Sequence, residues 1–179
     1  MLIFQAVSVL LPILISGLVF IAAIKNHWFE SLNKPIDFGS GIFGPSKNWR
    51  AVFFYVIGGT AIVGVLHWLQ PHQAWIASYY SSDPLELGVL NGLAYSFGEL
   101  VNSFVKRRLG MAPGGNARTK SGRIIQSVFD NIDGALASGL VLALVFHADW
   151  SLLGVAFAMS LLTHWSTDVL MRRLSLKRK

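Results

Sequence analysis

The chain has 179 residues, of which 53% are hydrophobic and only 13% charged, with a mean hydropathy of +0.52 and a net charge of +6. A soluble domain carries about twice that charged fraction, so composition excludes an ordinary water-soluble fold. There is no cysteine, hence neither a disulfide framework nor a thiolate metal site, and no recognition motif accompanies the basic balance, so nucleic acid is not an expected partner.

Apolar segments recur at lengths suited to a bilayer core. Leu2 to Ile24 is uncharged over a run longer than the roughly 20 residues needed to cross. It has no basic start and no small-residue cleavage pattern, so it is read as a span rather than a cleaved signal. Arg50 to Leu69 is the second span, with Gly58 and Gly59 as an expected point of close helix packing. Leu85 to Val105 is the third, and it carries Asn91, Ser96, Glu99, Asn102 and Ser103. Gly134 to Trp150 and Leu152 to Leu170 are the fourth and fifth, divided by a polar turn at His147 to Ser151. The expected fold is an all-α integral membrane protein of about five transmembrane helices, one domain over residues 1–179.

All fifteen Lys and Arg fall in Lys25 to Arg50, Lys106 to Arg123 and Arg172 to Lys179, whereas Gln70 to Pro84, with Trp75, Tyr79 and Tyr80, has none. Five spans put the three basic segments on one side, and the positive-inside rule assigns that side to the cytoplasm. The expectation is a multi-pass protein of the cytoplasmic membrane, N-terminus out and C-terminus in. The basic C-terminal end reads first as an orientation signal that also favours anionic membrane lipids.

Ionisable groups inside a span are costly and point to function. In the third span Glu99, Ser103 and Arg107 recur at helical spacing with Asn102 and Lys106 alongside, one polar stripe ending at the membrane edge. Asp130 and Asp133, three apart, are neighbours on a helical face. Two hard oxygen ligands side by side suit Mg²⁺, with Glu99 as the candidate third. The plainer reading is a structural salt bridge from Glu99 to Lys106 or Arg108. Against it stands the dense basic cluster of Lys106, Arg107, Arg108, Arg118, Lys120 and Arg123, the compensation that phosphate requires. In the first basic segment, glycines and prolines around Asp37 and Pro45 shape a tight loop, and Lys47 and Arg50 set two cations at the mouth of the second span. The Gly-Lys-Ser/Thr of a P-loop is missing. The five histidines show no ligand spacing, although His164 and Asp168 lie one turn apart on the last span.

The chain resembles the CDP-archaeol synthase family, related to the CDP-diacylglycerol synthases, in Pro35-Ile36-Asp37-Phe38-Gly39, in Phe43-Gly44 through Lys47-Asn48-Trp49-Arg50, in Gly98-Glu99 through Asn102-Ser103 to Lys106-Arg107-Arg108-Leu109-Gly110, and in Asp130-Asn131-Ile132-Asp133. The resemblance implies a CTP-dependent cytidylyltransferase: a lipid phosphate attacks the α-phosphorus of CTP, giving a CDP-activated lipid and pyrophosphate. It implies Glu99, Asp130 and Asp133 as Mg²⁺ ligands, and Lys106, Arg107 and Ser103 as catalytic groups. Asp37, Lys47, Asn48, Arg50, Asn102 and Arg108 are the implied substrate-binding residues. Two positions depart from the family pattern: Glu99 stands where aspartate is usual, and Asn48 where threonine is usual.

Two other readings stay open. Asp130 to Ala137 mimics the opening of the CDP-alcohol phosphatidyltransferase motif, but Ser138 follows and the apolar run to His147 has no carboxylate. A small scaffold or transporter would use the polar stripe as a substrate path.

Overall fold

The computed structural model describes residues 1–115 and 119–173, apart from the side chains of residues 120 and 164–173. Among these residues there are five long helical rods and no strand, only an isolated bridge between Pro35 and Asn48. Helix α1 spans Leu2–Lys25. The second rod is α2 (Trp49–Phe53), a π-helical turn (Phe54–Gly58) and α3 (Gly59–Leu69) in unbroken succession. Then come α4 (Pro84–Arg108), α5 (Lys120–Leu144) and α6 (Trp150–Arg173). The regions Leu2–Lys25, Trp49–His72 and Ser121–Leu144 are long and apolar enough to cross a membrane. This is a multi-pass membrane protein.

The packing is that of a protein dissolved in lipid. Leu14, Leu18, Ile57, Val65, Leu140 and Leu144 are exposed, while Ser8, Ser16, Asn91, Ser96, Ser103 and Ser138 are buried. Lipid tails solvate leucine as well as a protein core does, so helices gain by close approach and shared hydrogen bonds instead. Helix α4 supplies the close approach. A Cβ on Gly88 would stand 2.5 Å from Thr60 Cα, and one on Gly92 2.6 Å from the Tyr55 carbonyl, which seats α4 against the π turn and α3. A Cβ on Gly98 would stand 2.3 Å from the Asp133 carbonyl, which seats α4 against α5. Between α4 and α5 the buried hydroxyl of Ser138 donates to Asn91 Oδ1. Gly58 and Gly59 face Ser16 of α1, the close contact expected of them.

Pro12 has no N–H and so cannot serve the Ser8 carbonyl one turn earlier in α1. Tyr80 repairs the gap: its hydroxyl donates to Ser8 O at 2.8 Å, and Ser8 Oγ accepts from Ala77 N at 3.1 Å. The segment after α3 is thereby pinned over α1. Burial raises the pKa of the Tyr79 and Tyr80 phenols, which stay neutral.

Helix α4 opens as its sequence demands, with Asp83 Oδ1 accepting from Glu86 N at 2.8 Å and Pro84 in the first turn. The expected fourth span needs correction. Helix α5 begins at Lys120, well before Gly134, and ends at Leu144 rather than Trp150. Its end is set by His147, in the left-handed region at φ 52°, which lets Ala148 N bond back to the Leu142 carbonyl at 2.9 Å. Asp149 Oδ1 then accepts from the Ser151 hydroxyl and from Ser151 N at 2.6 Å and begins α6; these bonds, the hydroxyl's first, hold its carboxyl below the usual range.

Candidate active site

The site forms where the basic end of α4, the early turns of α5 and the loop after α1 meet. That loop is an ordered strap. Ile36 N bonds the Lys47 carbonyl at 2.9 Å and Trp49 N the Lys34 carbonyl at 3.1 Å, closing its base. At its tip Asp37 accepts from the backbone N–H groups of Phe43 (2.9 Å), Gly39 (3.1 Å) and Gly44 (3.5 Å). These donors hold the Asp37 carboxyl below its ordinary pKa, the Phe43 bond contributing most. Asn48 caps α2, its Oδ1 accepting from Ala51 N at 3.0 Å, and its amide donates to Asn33. Arg50 is buried, with Nη1 donating to Glu30 Oε1 at 3.0 Å and to the Trp28 carbonyl. His27, the larger influence, and Arg50 keep the Glu30 carboxyl below the usual range. Asp37, Asn48 and Arg50 thus hold the strap's shape.

The strap delivers Lys47, whose Nζ lies 2.5 Å from Glu99 Oε2 on α4. One turn further along α4, Asn102 bridges two carboxylates: its Nδ2 donates to Asp130 Oδ1 and to Asp133 Oδ2, each at 2.7 Å. Lys106 Nζ also reaches Asp130 Oδ1, at 2.5 Å, and Gly134 N donates to the other Asp133 oxygen at 2.6 Å. Ser103 is buried on the same helix. The Arg107 guanidinium donates to the Met111 carbonyl, while its Nε is buried without a partner and faces Gly44, where a Cβ would stand 3.8 Å away. Gly44, at φ 96°, is a turn residue that packs beside Pro113 and that guanidinium.

Three cations, Lys47, Lys106 and Arg107, therefore gather with three carboxylates, Glu99, Asp130 and Asp133. The carboxylates do not form one ligand set: among the described residues no three His, Asp or Glu side chains are placed to hold a metal together. Asp130 and Asp133 converge on a single Asn102 nitrogen, whereas Glu99, the expected third ligand, is engaged by Lys47. Two hard carboxylate oxygens sharing one donor suit a divalent cation such as Mg²⁺, which commonly takes only one or two protein carboxylates. Arg108 lies apart, exposed, with its guanidinium carbon 5.0 Å from the Phe104 ring centre. Arg118, and the side chains of Lys120, His164 and Asp168, fall outside the described residues.

The profile of CarS-like CDP-archaeol synthases matches residues 1–179. The chain belongs to the CDP-archaeol synthase family. The CDP-archaeol synthase of Pyrococcus abyssi is 39% identical over 88 residues, 45% of this chain and 49% of that protein. That of Methanopyrus kandleri is 30% identical over 153 residues, 80% of this chain and 78% of the other. That of Saccharolobus islandicus is 26% identical over 147 residues, 77% of each. The chain thus spans about half the length of the Pyrococcus relative and more than three quarters of the other two. No solved structure matches it.

The resemblance drawn from the strap and the α4 and α5 motifs is borne out at the level of the CDP-archaeol synthase family. In this family member the ion pairs differ from the simple alternative read in sequence: Glu99 meets Lys47 rather than Lys106 or Arg108, and Lys106 meets Asp130. The bridging part of Asn102 and the support from Glu30 were not visible in sequence. The three-residue spacing of Asn102 and Lys106 to the rest of the stripe was the available signal for the first, and nothing local signalled the second.

Proposed function

We propose that this protein transfers CMP from CTP to a membrane lipid phosphate, releasing pyrophosphate and leaving a CDP-activated lipid. The observation that carries the reading is the Asn102-bridged pair of Asp130 and Asp133, flanked by Lys47, Lys106 and Arg107 where membrane helices meet a polar strap. Family membership and the pattern of basic segments support it. All Lys and Arg lie in alternate segments, a pattern that supports a site at the cytoplasmic face, N-terminus out and C-terminus in, where CTP and a bilayer lipid can meet.

In this reaction an oxygen of the lipid phosphate forms a bond to the α-phosphorus of CTP, and the bond from that phosphorus to the bridging oxygen of pyrophosphate breaks. The attacking oxygen is already anionic near neutral pH, so no dedicated protein base is required. Lys47 and Lys106, now seated on carboxylates, are placed to turn to phosphate oxygens and offset charge on the departing pyrophosphate. Arg107 has an Nε donor without a partner, which a phosphate oxygen would satisfy. Ser103 contributes a hydroxyl between these cations. Asp37, Asn48 and Arg50 act by fixing the strap that carries Lys47. A divalent cation, Mg²⁺ by the hardness of its donors, supplies further neutralisation of the triphosphate when bound, and Asp130 and Asp133 are the residues that would hold it.

Purified protein with CTP, Mg²⁺ and a lipid phosphate should yield CDP-lipid and pyrophosphate in equal amounts, with ether-linked isoprenoid and diacyl phosphates both offered. Folded protein that does not bind CTP, or binds it and transfers nothing to either lipid, overturns the reading.

A further inference from the structure

Successive turns of α4 bear on one short stretch of α5. Tyr95, Gly98 and Asn102 recur at i, i+3 and i+7, on one face of the helix. Asn102 donates to Asp133 Oδ2, and Gly98 admits the Asp133 carbonyl to within 2.3 Å of where a Cβ would stand. Tyr95 meets the next residue. A Cβ on Gly134 would lie between 2.7 and 2.9 Å from three ring atoms of Tyr95, so the ring fills the notch that this glycine leaves. Gly134 N is the donor to the other Asp133 oxygen, Oδ1. One carboxylate oxygen of Asp133 is thus oriented by Asn102 directly, and the other by a peptide group that Tyr95 covers.

The Tyr95 ring is itself backed. Tyr55 packs against it, ring centres 4.6 Å apart and planes at 45°. Tyr55 belongs to the π turn Phe54–Gly58, an irregularity that recurs at functional sites. Its hydroxyl stands 3.7 Å from where a Cβ on Gly17 of α1 would be, and its carbonyl is met by Gly92 of α4. Tyr55 is therefore wedged between α1 and α4, and Tyr95 is wedged between Tyr55 and α5. Glycine weakens a helix interior, so Gly98 and Gly134 are explained by what they admit, a backbone in one case and a ring in the other.

We propose that Tyr95 is a positioning residue for the divalent-cation seat: backed by Tyr55, its ring fixes the Asp133–Gly134 peptide so that the Asp133 carboxylate converges with that of Asp130. The inference rests on the reading of those two aspartates as the seat. Tyr95 acts through Asp133 and is not itself a ligand. Groups that orient a metal's ligands govern about 10–100-fold in metal affinity.

The test is a titration of Mn²⁺, a hard cation read by its own EPR signal, into detergent-solubilised protein without CTP or lipid. Tyr95→Leu should weaken Mn²⁺ binding at least about tenfold, whereas Tyr95→Phe, which keeps the ring, should stay within about twofold. Gly134→Ala should weaken binding by a similar factor, because its methyl displaces the ring. Combining Gly134→Ala with Tyr95→Leu should bind Mn²⁺ better than either single change, since the methyl then occupies part of the vacated notch. Leu66→Ala, at a buried position near the far end of α3, should lower the melting temperature yet leave Mn²⁺ affinity within about twofold, which separates positioning from a general loss of packing. Parental Mn²⁺ affinity in Tyr95→Leu or in Gly134→Ala, or a loss in Leu66→Ala as large as that in Tyr95→Leu, overturns the proposal. A parent protein that binds no Mn²⁺, with or without CTP, instead overturns the cation seat on which the proposal rests.

Discussion

The amide of Asn102 occupies a point between two carboxylates, and removing it gives a quantitative test. Asn102→Leu keeps the volume but deletes donors that reach Asp130 Oδ1 and Asp133 Oδ2 at 2.7 Å each. Hydrogen bonds to charged groups contribute about 1.5–3 kcal/mol each. The Asp130 side chain is 35% exposed and can turn to water or to Lys106, so its share is discounted to a few tenths. The Asp133 share remains, giving a net loss of about 2–3 kcal/mol. For a chain of this length that lowers the melting temperature by about 4–12 °C. The assay is thermal unfolding in detergent, in EDTA and in millimolar Mg²⁺. If Asp130 and Asp133 hold a divalent cation, added Mg²⁺ takes over the bridging, and the deficit should shrink to less than half. An unchanged melting temperature in EDTA would refute the bridge, and a deficit equal in EDTA and Mg²⁺ would refute the cation seat.

Asp130→Asn and Asp133→Asn should each lower turnover by at least about a hundredfold while expression and melting in EDTA change little, since shape is kept and charge is lost. Either variant at parental activity removes that carboxylate from the site. Gly98→Ala should destabilise by about 1–3 kcal/mol, because its methyl would overlap the Asp133 carbonyl and force α4 from α5; melting within 1 °C of parent, taken as roughly the error of the assay, would count against that contact. For Asp37 the folded pKa is depressed, so its contribution to strap order is complete above the unfolded value of about 3.9 and lost as pH falls through the lower folded value. Amide exchange at Gly39, Phe43 and Gly44 should therefore stay slow to about pH 4, and exchange that quickens between pH 6 and 5 would contradict the sign. Gly114→Cys should be shielded from an impermeant thiol reagent in intact cells and Gln73→Cys should react; the reverse would turn the protein over in the membrane.

Hydropathy located the helical rods because each needs enough apolar surface to face lipid, and that signal is local. It misplaced α5 for two separate reasons. The first turns of that helix carry Arg123, Gln126 and Asp130, too polar to register as a span, and its end depends on the left-handed His147, which an apolar run to Trp150 conceals. The site was legible as residue types on helical faces: Glu99, Ser103 and Arg107 on one helix, Asp130 and Asp133 on another. Their pairing was not, because Lys47 and Glu99 are 52 positions apart and Asn102 and Asp133 31 apart. Such partners are chosen by how closely Gly98 lets two backbones approach and by where the strap's base fixes Lys47. Arg50 shows the converse. A cation read only as lying at a span's mouth is buried in the protein, with Glu30 as its partner.

The proline in the first helix bears on how the chain enters the bilayer during synthesis. Helix α1 leaves the ribosome before the segment after α3, yet the hydroxyl that serves its Ser8 carbonyl belongs to Tyr80, 72 residues later. An unserved carbonyl in hydrocarbon costs several kcal/mol. Until the chain has grown past Tyr80, that carbonyl must be met by water or by another donor, such as a polar group of the insertion machinery. The nascent helix therefore has reason to stay beside a hydrated path rather than move freely into lipid. Its final seat is taken only when the segment after α3 arrives to cover it, so α1 is completed only after α3 has been made.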